Sequence, residues 1–321
     1  MSTPEKRYRI WIDRTPPPGV VIPSDVELVD GPENADGVVV AADRPWDDDA
    51  CRKLPGLKVV ARSGIGYDNV DPDALAVHGV AACNTPDAPT ISTAEHALAL
   101  MMAVAKRLKG AEGRLAAGTA GGPGRLVGPG ALELDGRTLG LVGCGRIGSR
   151  LGHFAEALGM TVLVCDPYLD AAPVGGLVGI DQLWAEADVV SLHAPATPET
   201  HHIINAASLA AMRPGVIVVN CARGALVDQD ALLTALDSGH VGGAGLDVTD
   251  PEPLPSGHPL LGRDNVVVTP HVASTTTVGI VRLVGQALEQ ALTWLRGGVP
   301  EHLLNPAAAH PSVDRRARAA P

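Results

Sequence analysis

The chain has 321 residues, 45% apolar and 19% charged, which suits about two globular domains with a sizeable core. Its net charge of −11 argues against a nucleic-acid or anionic-membrane surface, so an anionic substrate must be held by local arginines. Five scattered cysteines without a C-x-x-C pair point to neither a zinc site nor a disulfide framework. No metal is expected. The N-terminus carries no apolar signal region, and the longest apolar run, Ala97 to Ala105, falls far below the ~18 residues of a membrane span. A cytoplasmic protein is therefore expected. Aromatic residues make up only 2%, so the core must be built from Val, Leu, Ile and Ala, as in buried parallel sheets.

In chain order, Tyr8 to Asp13, Val26 to Val29 and Gly37 to Ala42 read as strands, Asp47 to Leu54 as a helix, and Leu57 to Ala61 as another strand. That strand runs into Ser63, Gly64, Ile65 and Gly66. The turn is either an anion-binding nest of successive N–H groups, with Arg62 adding charge, or an ordinary connection. Asp71-Pro72 starts a helix with an N-cap and a proline at its first position. Val80 to Cys83 is the next strand. Ser92 and Glu95 spell a capping box, followed by a long helix from Thr93 to about Leu115. Thr93 in its first turn is placed to face a cofactor, and His96 is given a structural role. Ala117 to Gly130, with six glycines and two prolines, reads as a loop.

The densest signal runs from Thr138 to Asp166. A short apolar strand meets Gly143, Cys144, Gly145, Arg146, Ile147 and Gly148, which spell G-x-G-x-x-G. An amphipathic helix and a second apolar strand follow, and the strand ends on Asp166 at about the 20-residue spacing that places a carboxylate against a ribose. Gly143 permits the tight turn, Gly145 lets backbone approach a pyrophosphate, and Gly148 lets the helix pack close to the strand. The helix N-terminus offers unpaired N–H groups to the phosphates. The pattern predicts NAD as cofactor.

Beyond it, Ile180 to Ala185 is helical, and Asp188 to Leu192 is a strand closed by His193, Ala194 and Pro195, placed on the adenine side. Thr197 and Thr200 read as cofactor hydroxyls or as caps. Val216 to Asn220 is a strand leading to Cys221, Ala222 and Arg223. Asp228 to Leu236 is a helix. Gly243 to Leu246 is a strand ending at Asp247, with Asp250-Pro-Glu252-Pro after it. Val266 to Val268 is the last strand, before Thr269-Pro270-His271. A helix from about Thr276 to Leu295 follows, and the tail from Asn305 is too poor in apolar residues to pack.

Successive strand ends thus deliver Arg223, Asp247 with Glu252, and His271. Reducing a 2-keto acid with a hydride needs a clamp for its carboxylate, polarisation of the carbonyl and a proton for the carbonyl oxygen. Arg223 can clamp with two parallel hydrogen bonds and polarise. His271 can supply the proton, and Glu252 beside it would orient the ring and favour the imidazolium.

The motifs G-C-G-R-I-G, L-H-A-P-A-T-P-E-T, N-C-A-R-G, G-L-D-V-T-D-P-E-P, T-P-H-V-A-S and R-S-G-I-G-Y-D-N-V-D, spread over Arg62 to Pro306, resemble those of the NAD-dependent D-2-hydroxyacid dehydrogenases. The resemblance implies an α/β protein of two Rossmann-like, doubly wound parallel-sheet domains joined by two long crossover helices. Residues 1–96 and 283–304 would form the substrate domain, 97–282 the dinucleotide-binding domain and 305–321 a disordered tail. It implies a homodimer built on the dinucleotide domains and a small 2-hydroxy or 2-keto acid as substrate. Arg223 would bind substrate, His271 would be acid and base with Glu252, and the N–H groups of Ile65 and Gly66 would grip the carboxylate. Arg146 and Ile147 would meet the pyrophosphate and Asp166 the ribose. Cys221 to Arg223, Asp247 and His271 to Ser274 would flank the nicotinamide.

Departures from the family pattern bear on substrate. The loop before the dinucleotide motif lacks the usual tryptophan, and the phosphate-binding arginine of 3-phosphoglycerate dehydrogenases falls near Ala41, leaving Arg44 or Arg62 as stand-ins. No regulatory C-terminal domain is expected. A general 2-hydroxyacid dehydrogenase is the leading expectation. A 3-phosphoglycerate dehydrogenase is the alternative, and an NAD-sensing corepressor is an alternative of another class. Glu252 stands where formate dehydrogenases of this family carry Gln, which argues against formate.

Overall fold

The computed structural model describes residues 7–119 and 130–306. In chain order the elements are β1 (Tyr8–Ile12), β2 (Val26–Leu28), β3 (Gly37–Val40), α1 (Asp48–Lys53), β4 (Val59–Arg62), α2 (Pro72–Val77) and β5 (Ala81–Cys83). Next come α3 (Thr90–Ala105), α4 (Leu108–Ala116), β6 (Thr138–Val142), α5 (Arg146–Ala157), β7 (Thr161–Cys165), β8 (Gly176–Leu177), α6 (Ile180–Glu186) and β9 (Val189–Leu192). The remainder are α7 (Ala206–Ala211), β10 (Val216–Asn220), α8 (Gln229–Asp237), β11 (Val241–Leu246), β12 (Val266–Val268) and α9 (Thr277–Leu295).

The chain divides into two units. One holds the residues up to Pro89 and those from Thr275 onward. Its five strands are all parallel, in the order β2-β1-β3-β4-β5, the flavodoxin-like arrangement. Side chains alternate across this sheet. Ile10, Val39, Val59 and Ala61 meet Val284, Ala287, Leu288 and Ala291 of α9, while Val38, Val40, Val60 and Ala82 meet Cys51 of α1 and Leu75 of α2. Both faces are covered, so the strands read as continuous apolar runs rather than alternating ones. Asp71 caps α2 by accepting from the Asp73 and Ala74 N–H groups, with Pro72 at the first helical position.

The second unit runs from Thr90 to Ser274. Its seven strands are also parallel, in the order β12-β11-β10-β9-β6-β7-β8. Counted from β6, this is the dinucleotide-binding order 3-2-1-4-5-6 with one strand added at the edge. Leu139, Leu141, Ile217 and Val219 pack against α3 and α5. Val190, Leu192, Val218 and Leu246 pack against α6, α7 and α8.

Several local expectations change. The predicted long helix is two. Arg107 adopts the left-handed conformation (φ 55°) between Ala105 and Leu108, which breaks the helix into α3 and α4. Helix α3 begins at Thr90, so Ser92 lies buried inside its first turn and is not an N-cap paired with Glu95. Helix α7 and the two-residue strand β8 were not predicted. Yet α7 carries a capping box in which Asn205 accepts from the Ala207 and Ser208 N–H groups and Ser208 returns the bond. Most of the glycine-rich loop (120–129) and the tail from 307 lie outside the described residues.

The tail does not begin at Asn305. Asn305 is buried, accepts from the Ala82 N–H (2.9 Å), and donates to the carbonyls of Val80 (2.9 Å) and Pro72 (3.0 Å). Asn305→Ala would strip a buried N–H of its acceptor. It should lower unfolding free energy in urea by about 1–3 kcal/mol, and an unchanged denaturation midpoint would remove this anchor from the fold.

Candidate active site

The glycine turn sits where the strand order of the second sheet reverses, between β6 and β9. Gly143 has φ +87°, and a Cβ there would lie 2.9 Å from the His193 carbonyl, so only glycine fits the turn. A Cβ on Gly148 would come within 2.6 Å of the Gly143 oxygen, which is the close helix–strand contact expected of the third glycine. Gly145 is the N-cap of α5 and supplies no capping side chain, and the space its Cβ would occupy is open. The first N–H groups of α5, on Arg146 and Ile147, therefore have room for an anion and no side-chain competitor at the cap. These residues fit a dinucleotide pyrophosphate.

Asp166 closes β7 beside this turn. Its two oxygens accept from the N–H groups of Cys144 (2.9 Å) and Tyr168 (3.0 Å), tying the carboxylate to the turn itself. His193 ends β9, with Nε2 2.9 Å from the Ser191 hydroxyl. Burial pulls its imidazole down to about 4, so the ring is neutral at pH 7. Thr200 braces the following loop: its hydroxyl donates to the Pro195 carbonyl (2.6 Å) and accepts from the Thr197 N–H (2.8 Å). Ala194 and Pro195 flank this brace. Thr93 lies buried in the first turn of α3.

Arg223 follows β10. Asn220, fully buried, holds its loop by accepting from the Ala222 N–H (2.9 Å) and donating to the Arg223 carbonyl (2.8 Å). Gly224 permits close packing behind it, since a Cβ there would strike the Thr249 carbonyl. The Arg223 loop thereby packs against the segment that leads through Asp250 to Glu252. The Cys221 thiol is pushed up by burial and by the Asp247 carboxylate, so it stays protonated and is no nucleophile.

Glu252 and His271 meet directly, with Oε1 2.5 Å from Nδ1. Each is a little over one-third exposed, so the pair is accessible to a ligand. His271 itself is left-handed, φ 53°. That strained backbone is held by Asp247, whose carbonyl accepts the His271 N–H (2.7 Å). The Asp247 carboxylate is 1% exposed and accepts from the Thr269 hydroxyl (2.6 Å) and from the Val272 and Ala273 N–H groups (2.9 Å each). His96 Nε2 lies 2.9 Å from Thr269 Oγ1 and 3.4 Å from Asp247 Oδ1. Burial alone would raise the Asp247 carboxyl. The hydrogen bonds from His96, Thr269, Val272 and Ala273 outweigh it and hold the group below the ordinary carboxylate range. Ser274 follows this clamp, half-buried.

The Ser63–Gly66 turn belongs to the other unit. The Ser63 hydroxyl donates to the Val40 carbonyl (2.9 Å), and Arg62 curls back onto the Ser63 carbonyl over Gly64. Asn84 donates to the Ile65 carbonyl (2.7 Å). Among the described residues the N–H groups of Ile65 and Gly66 have no protein acceptor. The Arg44 guanidinium lies 4.4 Å from the Trp46 ring centre and 5.3 Å from that of Trp11.

Sequence reading missed Asn220, Thr269 and the part played by His96. Asn220 carried a signal, as a polar residue ending the apolar run V-I-V-V. Thr269 and His96 carried none. Among the described residues no cluster of three or more His, Cys, Asp or Glu is set to hold a metal, and no helix is long and apolar enough to cross a membrane.

Comparison with known proteins agrees with this geometry. Residues 98–273 match the family model "D-isomer specific 2-hydroxyacid dehydrogenase, NAD binding domain". The chain is 37% identical over 303 residues to a glyoxylate reductase of Korarchaeum cryptofilum, covering 92% of this chain and 89% of that one. It is 38% identical over 284 residues to a D-3-phosphoglycerate dehydrogenase of Methanocaldococcus jannaschii, covering 87% of this chain but only 53% of that protein, so it spans about half its length. Its fold is similar to that of an Aquifex aeolicus D-lactate dehydrogenase solved with NAD and lactic acid (TM-score 0.79, 27% identity, 92% and 98% of the two chains). With a glycine turn at the strand-order reversal, a hydrogen-bonded His271–Glu252 pair after neighbouring strands and these matches, the chain belongs to the NAD-dependent D-2-hydroxyacid dehydrogenases.

Proposed function

We propose that the protein reduces a small unphosphorylated 2-keto acid, of the size of glyoxylate or hydroxypyruvate, to the D-2-hydroxy acid. The contact between His271 Nδ1 and Glu252 Oε1 at 2.5 Å carries this reading. Glu252 fixes the ring orientation and leaves Nε2 for the substrate oxygen. NADH, when bound, supplies the hydride that reaches C2. The N–H groups of Arg146 and Ile147 hold the pyrophosphate and Asp166 the ribose. Cys221 to Arg223, Asp247 and His271 to Ser274 line the nicotinamide, and Thr93, His193 to Pro195 and Thr200 serve the rest of the cofactor.

Arg223 clamps the substrate carboxylate and polarises the C2 carbonyl. The turn Ser63 to Gly66 provides a further grip on that carboxylate, supported by its two N–H groups without a protein acceptor among the described residues. His271 Nε2 delivers the proton to the carbonyl oxygen as hydride reaches carbon, and takes it back in oxidation. A homodimer is the assembly proposed, with sedimentation at twice the chain mass as its check.

A second reading, oxidation of 3-phosphoglycerate, draws on the likeness to phosphoglycerate dehydrogenases. The Arg44 guanidinium is stacked over two tryptophan rings, and its in-plane N–H donors are the ones this reading would turn to a phosphate.

NADH oxidation should be fastest with glyoxylate or hydroxypyruvate in a panel that includes pyruvate, larger 2-keto acids and 3-phosphohydroxypyruvate. A preference for the phosphorylated acid would overturn the substrate assignment. NADH binding without turnover on any acid would favour a sensor in place of an enzyme. His271→Ala should cut turnover by about 100-fold or more with NADH affinity retained, whereas near-normal turnover would take His271 out of the reaction. Asp166→Ala should relax discrimination against NADP, and an unchanged NAD/NADP ratio would assign that choice to another residue.

A further inference from the structure

The second unit has a cavity of about 330 Å³ at the amino ends of its central strands, opposite the catalytic strand ends, and Arg107, Arg137, Arg213 and Asp188 line it. Arg137 directly precedes β6, Asp188 precedes β9, Arg213 lies three residues before β10, and Arg107 follows the end of α3. A five-residue strand spans about 16 Å, so the length of the sheet separates this cavity from the glycine turn. Val104 and Ile217 supply apolar wall.

Its charge is unbalanced. Three guanidinium groups face one carboxylate, in a protein whose net charge is −11. Asp188 is already engaged, because its Oδ2 accepts the Thr138 N–H at 2.9 Å. Its Oδ1 lies 3.5 Å from Arg137 and 3.7 Å from Arg213, longer than a charge-assisted hydrogen bond. Arg213 donates through Nε to the Ala185 carbonyl (3.1 Å), and Arg107 through Nε to the Gly130 carbonyl (3.2 Å). Those bonds anchor the stems. They leave both Nη groups of Arg107 without an acceptor among the described residues. Burial pulls the Arg107 guanidinium below its ordinary value, a sign that its charge is poorly solvated. Capping of helix and loop carbonyls explains each Nε contact, but not why three cations share one cavity with a single carboxylate.

We propose that this cavity is a binding site for a small polyvalent oxyanion, gripped by the Nη groups of Arg107, Arg137 and Arg213. Planar guanidinium forks match phosphate and carboxylate oxygens alike. The ligand class is therefore a phosphate or a di- or tricarboxylate small enough for the cavity. It is distinct from the cofactor's own pyrophosphate, and its binding does not require turnover.

Calorimetric titration of the NADH-saturated protein with sodium phosphate and with sodium citrate, against sodium chloride at equal ionic strength, tests it. NADH occupies the glycine turn and removes it as a competing anion site. Saturable binding of one equivalent of either anion is expected. Arg107→Met and Arg213→Gln should each weaken it by about tenfold or more, with NADH affinity unchanged as evidence of folding. Tighter binding of phosphate or of citrate identifies which source of oxyanion the site prefers. No heat beyond chloride from either anion, or an affinity in both variants equal to that of the unaltered protein, overturns the proposal.

Discussion

Asp247 is a buried carboxylate whose hydrogen bonds organise the reactive end of the second sheet. It sits at the end of β11 with 1% of its surface exposed, and it would be costly there without partners. Thr269, Val272 and Ala273 supply them, and His96 approaches from α3. In satisfying this charge the loop after β12 is drawn into one shape, in which His271 takes a left-handed backbone and meets Glu252. The position of His271 is thus tied to the partners of a buried anion, and hydrogen bonding holds that carboxyl below the ordinary carboxylate range.

The nucleotide cradle follows from a different constraint. In a doubly wound parallel sheet the connections on either side of the strand-order reversal run to opposite faces and leave a crevice at the carboxyl ends. Here β6 and β9 border that crevice. Gly143 and His193 approach so closely that a single Cβ would fill the gap. Asp166 bonds to the Cys144 N–H, so the group assigned to the ribose also rigidifies the turn assigned to the phosphates. The arginine cavity lies at the amino ends of the same strands, where Arg107, Arg137 and Arg213 share the single carboxylate of Asp188.

Much of this was legible in the sequence because it is local. The G-x-G-x-x-G turn, Asp166 and the proline-started helix α2 need only neighbouring residues to be recognised. Continuous apolar strands declared parallel sheets covered on both faces, as Val216 to Val219 show by sending alternate side chains into two different cores. The Arg223, Glu252 and His271 set stood out because each follows a strand end. The interrupted helix at Arg107 was hidden, since no glycine or proline marks the left-handed residue. Asn305 reads as tail because Pro and Ala follow it, while its three partners lie more than 220 residues earlier in the chain.

The sequence by itself determined the fold class, the cofactor and the family, because these rest on spacing along the backbone. Only the tertiary structure decided that His96, 173 residues from Thr269, shares the Asp247 network. It also decided that three arginines far apart in sequence line one cavity. The physical reason lies in the sheet, which sets segments with no sequence relation to one another side by side, and in the buried Asp247 carboxylate, which is stable only with the partners so delivered.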